Sequence, residues 1–338
     1  MKYMKIIIPM AGRGSRLRPH TLTVPKPLVP VVGKPIVQRI VEDFNASFPG
    51  QIDEVAFIIG DFGPEAEEQL QQIADGIGAK ASIYHQETPE GPAHAIYCAK
   101  DSLQGPCIVA FADTLFKASF QFDTDADGVI WVQQVDDPSS FGVVKTNTDG
   151  VITDFVEKSP TFVSDKAIVG LYYFKDGANL RDEIAHLIDN NLRDKGEFQI
   201  TTVLENMKNK GVAFRAARIE EWLDCGNKQN ILDTSRRMLE LKQDSEQLIA
   251  DDIHVDNAVI IPPCYVGPGV QLKNTVVGPY VTIGRNSTVQ NSVIRDSVIQ
   301  SNTSVEQVIL ERSMIGRHAE IVGQADDWSV GDFTQMGR

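Results

Sequence analysis

The first apolar run, Ile6-Ile7-Ile8, stops at Pro9, where small and cationic residues take over. A short apolar stretch closed by a loop signal predicts a buried strand over residues 5–9. Behind Pro35, a good first-turn residue, Ile36, Val37, Ile40, Val41 and Phe44 fall on one face at helical spacing. The alternation repeats with a strand over 55–59, a helix over 64–73, a strand over 81–85, a short helix over 92–99 and a strand over 107–111 that runs into Ala112-Asp113. Strand–helix alternation predicts a parallel sheet with helices on both faces, and ligands of such sheets sit beyond the carboxyl ends of the strands. The loop after Pro9 and Asp113 both fall at such ends.

From residue 129 to 174 the pattern changes to β segments over 129–135, 141–145, 151–156 and 169–174, which would extend or cover the sheet. Helices return over 179–192 and 201–208. A strand over 212–219 then leads to Trp222-Leu223-Asp224-Cys225-Gly226, and a polar helix from 228 to about 247 reads as a connector.

The last third follows another rule. Val255, Ile260, Val266, Leu272, Val277, Ile283, Val289, Ile294, Ile299, Val305, Leu310, Ile315 and Ile321 recur at steps of five or six. Three steps make a period of 16 or 17 residues, which neither a helix nor a hairpin sheet produces. A triangular solenoid does, with one inward aliphatic per face, about four coils, and Gly267, Asn274, Gly278, Gly284, Asn302 and Gly316 at corners. The expected organisation is an α/β domain over 1–228, a connecting helix and linker over 229–252, the repeat over 253–323 and a tail over 324–338.

A chain of 338 residues, 42% of them hydrophobic, has enough apolar material for two cores. Its 32 basic and 46 acidic side chains leave a net charge of −14, unevenly spread. Between Met1 and Val41 there is no acid but eight bases: Lys2, Lys5, Arg13, Arg16, Arg18, Lys26, Lys34 and Arg39. The opening is therefore +8 and the remainder −22. An acidic remainder argues against nucleic acid or an anionic membrane as partner, while a cationic opening calls for a small anionic ligand. Cys98, Cys107, Cys225 and Cys264 are scattered without a CxxC, so neither a zinc site nor a disulfide framework is expected, and a reducing cytoplasm fits. No run approaches the roughly 18 apolar residues of a membrane span.

The loop Ala11-Gly12-Arg13-Gly14-Ser15-Arg16 combines glycines, which let backbone N–H groups approach a ligand, with cations that neutralise phosphate. It is not a Walker A loop, since no Gly-Lys-Ser/Thr follows. Nor is it a dinucleotide fingerprint, since the third glycine is missing. The longer stretch Met10-Ala11-Gly12-Arg13-Gly14-Ser15-Arg16-Leu17-Arg18-Pro19, with Thr21 and Pro25-Lys26-Pro27-Leu28, resembles the signature of the sugar-1-phosphate nucleotidyltransferases. Further matches follow in order: Gln86 with Pro89-Glu90-Gly91-Pro92-Ala93-His94-Ala95, Ala112-Asp113, Phe141-Gly142-Val143-Val144, Glu157-Lys158, Gly170-Leu171-Tyr172, Gly196-Glu197 and Trp222-Leu223-Asp224-Cys225-Gly226. Ser15, Lys195 and the Ser159 inserted before Pro160 depart from the usual pattern.

The resemblance implies a Rossmann-like mixed sheet followed by a left-handed parallel β-helix of about four coils. It implies transfer of a nucleotidyl group from a nucleoside triphosphate to a sugar-1-phosphate. Arg16 and Lys26 would be catalytic, and Ala11, Gly12, Arg13, Gly14, Ser15, Gln86 and Gly91 would hold the nucleotide. Gly142, Glu157, Lys158, Gly170, Tyr172 and Lys195 would form the sugar-phosphate pocket. Asp113 and Asp224 would hold Mg²⁺, an ion suited to hard oxygen ligands. His94 is read as packing or bonding to neighbours. A Gln86 amide can pair with the O4/N3 edge shared by thymine and uracil, so dTTP is favoured, UTP follows, and glucose-1-phosphate is the expected acceptor. GTP with mannose-1-phosphate, sugar acetylation in the solenoid through His254 or His318, and a non-catalytic regulatory subunit are the other readings. A cytoplasmic homo-oligomer, assembled through the β-helix, is expected.

Overall fold

The computed structural model describes residues 3–12, 14–117 and 124–324. Arg13, and the expected tail beyond residue 324, lie outside them. The chain divides into two compact units, Met1–Val29 with Lys34–Asn230, and Pro30–Gly33 with Ile231–Arg338.

The first unit is built on a 9-stranded mixed sheet. Its elements are β1 (Met4–Pro9), α1 (Ile36–Ser47), β2 (Ile52–Ile59), α2 (Pro64–Asp75), β3 (Lys80–His85), α3 (Pro92–Cys98), β4 (Cys107–Ala110) and β5 (Thr114–Lys117). They continue with β6 (Gly128–Gln134), β7 (Gly142–Thr146), β8 (Ile152–Glu157), β9 (Lys166–Phe174), α4 (Gly177–Asp189), α5 (Ile200–Asn209), β10 (Phe214–Arg218) and β11 (Glu221–Asp224); α6 (Lys228–Lys242) follows and belongs from Ile231 onward to the second unit. The order β8-β7-β9-β4-β1-β2-β3 places β1 at the centre of the parallel half, between β2 and β4. β9 then pairs antiparallel with β4, β6 and β7. The reason lies in the connections. Strands joined through helices come out parallel, whereas the helix-free run from β6 to β9 turns back through loops and pairs antiparallel.

The stripe anticipated on α1 is fully buried at Ile36, Val37, Ile40, Val41 and Phe44. A second core layer lies where α3, α4 and α5 cover the sheet, from Ile7, Ile58 and Val109 to Leu180, Ile184, Val203 and Phe214. At about 25 cal/mol per Å² of apolar surface, each such side chain contributes about 1.5–3 kcal/mol to holding the strand ends that carry the loops. The β5–β11 ribbon lies outside the main sheet and was not anticipated from the pattern. Its strands of four residues are too short to show a period, and they pair across more than a hundred residues of sequence.

The second unit contains a parallel β-helix. Its strands stack in sheets of five, four and four, running from His254–Asp256 to Glu320–Val322. All the aliphatics picked out by the 16–17 residue period fall on these strands, and those from Val266 to Val305 are fully buried in its interior. Corners take a left-handed backbone, tolerated by asparagine: Asn257, Asn274 and Asn291 have φ of 47°, 49° and 49°. Their amides form a ladder, Asn257 donating to Asn274 at 2.9 Å and Asn274 to Asn291 at 3.2 Å. One face is covered: Thr282 and Val298 point outward yet are buried, and Arg236 of α6 bonds Asp296 at 3.0 Å and stacks on Tyr280. Among the described residues, no helix is long and apolar enough to cross a membrane.

Candidate active site

The loop after β1 leaves the carboxyl end of a strand that has parallel neighbours on both sides. Gly14 adopts φ +59°, and a Cβ there would sit 2.7 Å from Lys26 Cβ. Only glycine lets the two loop segments close on each other. Thr21 Oγ1 ties them by donating to Gly14 O at 2.8 Å. Gly14 starts a single 3₁₀ turn, Ser15–Leu17, in which Leu17 is buried and Arg16 exposed. Lys26 begins a second turn, Lys26–Leu28, and its side chain is only 12% exposed. Its ammonium lies 3.6 Å from Asp113 Oδ2, in a carboxylate 58% exposed. Gly12 stands in open space, with nothing within 4 Å of a Cβ placed on it.

The β5–β11 ribbon brings the two aspartates together. Asp224 pairs with Thr114, and Cys225 N–H donates to Asp113 O at 3.0 Å, so Asp113 and Asp224 sit on neighbouring rungs. Trp222 Nε1 fixes the ribbon by donating to Thr114 Oγ1 at 3.2 Å, and its ring meets Phe141 edge-on with centroids 5.1 Å apart. Asp224 also organises its own turn. Oδ1 accepts from Gly226 N–H at 2.8 Å and Oδ2 from the Asn230 amide. Among the described residues no group of three or more His, Cys, Asp or Glu side chains forms a metal cluster. The donor set at this place is the Asp113 and Asp224 carboxylates, all oxygen, which suits a hard divalent cation.

The segment 86–94 forms another wall. Gln86 N–H bonds Ile59 O at 2.8 Å, and its Nε2 reaches Gly91 O at 3.3 Å and His94 Nδ1 at 3.1 Å. Gly91, at φ +120°, packs so closely that a Cβ would stand 2.7 Å from Phe198 N and 2.8 Å from Phe198 O. Phe198 N–H donates to Glu90 O, and Ala93 N–H to Phe198 O, both at 2.9 Å. Arg193 pairs with Glu90 at 2.8 Å and stacks over the Phe198 ring at 4.0 Å. That hydrogen bond holds the Glu90 carboxyl below its usual range.

The remaining predicted residues gather around β7, β8 and β9. Gly142 pairs with Glu157, and a Cβ on it would meet Glu157 Oε2 at 3.0 Å. Glu157 Oε2 accepts from Thr201 Oγ1 at 3.0 Å, and Oε1 lies 3.5 Å from Lys158 Nζ. Lys158 has φ 41° and an exposed side chain. Lys195 Nζ donates to Glu157 O at 2.9 Å and to Lys158 O at 2.8 Å. Two of its three N–H groups therefore staple the Lys158 turn. Gly170 sits in the register break of β9, where Phe111 N–H bonds its carbonyl at 3.0 Å. Tyr172 is only 4% exposed, within the core. Burial pushes its hydroxyl pKa up, with the Glu157 and Asp113 charges adding to the effect. Its ring therefore belongs to the core and is not exposed to a ligand in this structure.

Thr114, Thr201, Arg193 and Asn230 were not singled out from the sequence. Only Asn230 carried a local signal, a short polar side chain at the start of a helix. In the β-helix, His254 lies on an outward polar strand, and His318 is a left-handed corner residue with φ 56°, its ring 3.5 Å from the Asn302 amide.

A mixed sheet with glycine and lysine turns after β1 and two aspartates on the β5–β11 ribbon beside them defines an α/β fold with its candidate chemistry on the loops after the parallel strands. The chain belongs to the nucleotidyl transferase family, whose model matches residues 5–240. It is 31% identical, over 96% of its length and 95% of the relative's, to the low-salt glycan biosynthesis nucleotidyltransferase Agl11 of Haloferax volcanii. It is 28% identical to a glucose-1-phosphate thymidylyltransferase of Streptomyces griseus, covering 98% and 99% of the two chains. The solved structure of a putative glucose-1-phosphate thymidylyltransferase from Bacillus anthracis has the same fold, with TM-score 0.59 and 23% identity over 72% of this chain and 97% of that one.

Proposed function

We propose that this protein transfers a nucleotidyl group from a nucleoside triphosphate to a sugar-1-phosphate, with dTTP favoured, UTP next, and glucose-1-phosphate the favoured acceptor. The observation that carries the reading is the 3.6 Å approach of Lys26 to Asp113, next to the Gly14 turn, together with the ribbon pairing that sets Asp224 beside Asp113. An oxygen of the sugar phosphate forms a bond to the α-phosphorus while the bond to the bridging oxygen breaks, and the electron pair leaves on pyrophosphate. Both reactants are anions, so charge neutralisation and alignment supply most of the acceleration.

Arg16 faces the β- and γ-phosphates and Lys26 the reacting phosphate. Backbone N–H groups of Ala11, Gly12, Gly14 and Ser15 line the triphosphate, and Arg13 is assigned there from the sequence signature alone. Asp113 and Asp224 would hold Mg²⁺, which supplies further neutralisation of the triphosphate charge. Lys158 holds the sugar phosphate, Lys195 fixes the Lys158 turn, and Glu157 accepts from sugar hydroxyls. Gln86 and Gly91 face the base, with Tyr172 and the Gly142 and Gly170 backbones shaping the pocket floor.

Assembly through the β-helix is part of the same proposal, with a second copy of this chain as the partner. Val259, Val276, Val293 and Ile309 stack in register as an outward aliphatic ladder, and Ile309 is 76% exposed. Residues 253–323 carry five acids and five bases, so like charges repel least on this module of a protein with net charge −14.

Pyrophosphate release in a matrix of dTTP, UTP, GTP, CTP and ATP against hexose-1-phosphates tests the substrate reading. Turnover highest with dTTP or UTP and glucose-1-phosphate supports it. Turnover confined to GTP with mannose-1-phosphate replaces the base and the sugar, and turnover with none removes the reading.

A further inference from the structure

Gln86 can discriminate between bases only if its amide is held one way round. Its main chain is fixed by the bond to Ile59 O at 2.8 Å, but its side chain is not packed into the core. Two atoms hold the amide. Gly91 O, 3.3 Å from Nε2, is an acceptor only, so the NH₂ end must face it. That contact is long, at the weak end for an N–H···O bond. The closer partner is His94 Nδ1, at 3.1 Å. A neutral imidazole accepts at one nitrogen and donates at the other, so Nδ1 accepts from Gln86 only when the ring proton is on Nε2.

The surroundings supply that tautomer. His94 Nε2 lies 3.6 Å from Glu90 Oε2, and Glu90 Oε1 is gripped by Arg193 at 2.8 Å. Arg193 is itself stacked over Phe198, whose backbone is bonded to Glu90 and Ala93. A fixed carboxylate on the Nε2 side favours the proton there and leaves Nδ1 as the acceptor. The relay Arg193–Glu90–His94–Gln86 therefore turns the NH₂ of Gln86 inward and leaves Oε1 as the atom available to a ligand.

We propose that His94 is a positioning residue which, by accepting from Gln86 Nε2, presents Gln86 Oε1 to the base and restricts the site to bases carrying a ring N–H. The inference rests on the assignment of Gln86 to the base under Proposed function. Thymine and uracil offer N3–H, and guanine offers N1–H. Cytosine N3 and adenine N1 carry lone pairs that would face the amide oxygen, leaving two acceptors unpaired against each other. His94 thus selects between classes of base, and dTTP, UTP and GTP are separated by other contacts.

Equilibrium binding of dTTP, UTP, GTP, CTP and ATP to the full-length protein by titration calorimetry tests this without a sugar phosphate. The wild type should bind at least one of dTTP, UTP and GTP tenfold or more tighter than CTP and ATP. His94→Phe, which keeps the ring but removes the acceptor, should reduce that ratio about five- to tenfold, the worth of one net hydrogen bond. His94→Asn, whose Oδ1 falls near the place of Nδ1, should restore it to within about threefold. His94→Leu replaces the Phe variant should that one fail to fold. A wild-type ratio in the Phe or Leu variant, failure of Asn to rescue, or a wild type that prefers CTP or ATP overturns the inference. Gln86→Leu separates the two layers. An unchanged ratio there sinks the placement of Gln86 against the base, whereas a collapsed ratio with His94→Phe unaffected sinks only the role of His94. Binding of none of the five triphosphates overturns both.

Discussion

Replacing Gly14 by alanine perturbs the proposed site through geometry alone. A Cβ at this position would stand 2.7 Å from Lys26 Cβ and 3.3 Å from Thr21 Cγ2, on a backbone at φ +59°. The left-handed conformation costs about 1 kcal/mol or more for a residue with a Cβ. Relief of the contact needs a separation of about 3.5–4.0 Å between carbons, a shift of about 1 Å. That shift moves the main chain that aims Lys26, whose ammonium is 3.6 Å from Asp113. A displacement of this size at a catalytic group costs about 10²-fold in rate. Steady-state pyrophosphate release should therefore show kcat/KM lowered about 100-fold. Thermal unfolding should fall by only a few degrees, as expected for a loss of about 1–2 kcal/mol. Gly12→Ala is the control, because its Cβ meets no protein atom within 4 Å. Its Tm should stay at the wild-type value while KM for the triphosphate rises, since the added methyl occupies ligand space. Wild-type kcat/KM in Gly14→Ala would refute the reasoning.

Further expectations follow from other contacts. Lys195→Met removes two bonds to the carbonyls of Glu157 and Lys158 and should raise KM for the sugar phosphate about tenfold, leaving KM for the triphosphate unchanged. Equal effects on both constants would show that the staple does not act on the Lys158 turn. Burial, with Lys228 adding, holds the His20 imidazole below its ordinary 6.5, so the folded state resists a proton that the unfolded chain accepts. Stability is therefore full above that value and declines as pH falls from it toward the folded value. His20→Asn should flatten this part of the Tm–pH curve, and an unchanged curve would clear His20 as its cause. Ile309→Lys in the outward ladder should shift sedimentation toward smaller species with kcat per site preserved, and an unchanged sedimentation profile counts against self-association through this face.

How much of this was legible depended on whether the signal was local. The α1 stripe and the 16–17 residue period are written in neighbouring residues; the stripe is buried, and so are the repeat positions from Val266 to Val305. The order of strands around β9 was not readable, because antiparallel return is decided by loops and by partners far along the chain. The β5–β11 ribbon shows the limit most clearly. Thr114 and Asp224 are 110 positions apart and pair through strands of four residues, so no pattern reveals their pairing, and only the family resemblance suggested a shared role for Asp113 and Asp224. Lys195 illustrates a different gap. Its residue type suits a phosphate contact, but no local pattern showed that its ammonium also bonds the two carbonyls at the left-handed Lys158 turn. The polar helix anticipated to about residue 247 ends at Lys242, since turns over Lys242–Ser245 and Lys242–Glu246 follow it.

The most direct test of the central claim is product formation by the wild type and by Lys26→Met in parallel. Each is incubated with the best triphosphate, a hexose-1-phosphate and Mg²⁺, and both products are quantified. The account predicts nucleoside diphosphate sugar and pyrophosphate in equal amounts from the wild type, with the rate lowered about 10²–10³-fold in Lys26→Met. A wild type that forms no nucleoside diphosphate sugar with any pair, or a Lys26→Met variant that turns over at the wild-type rate, would contradict it.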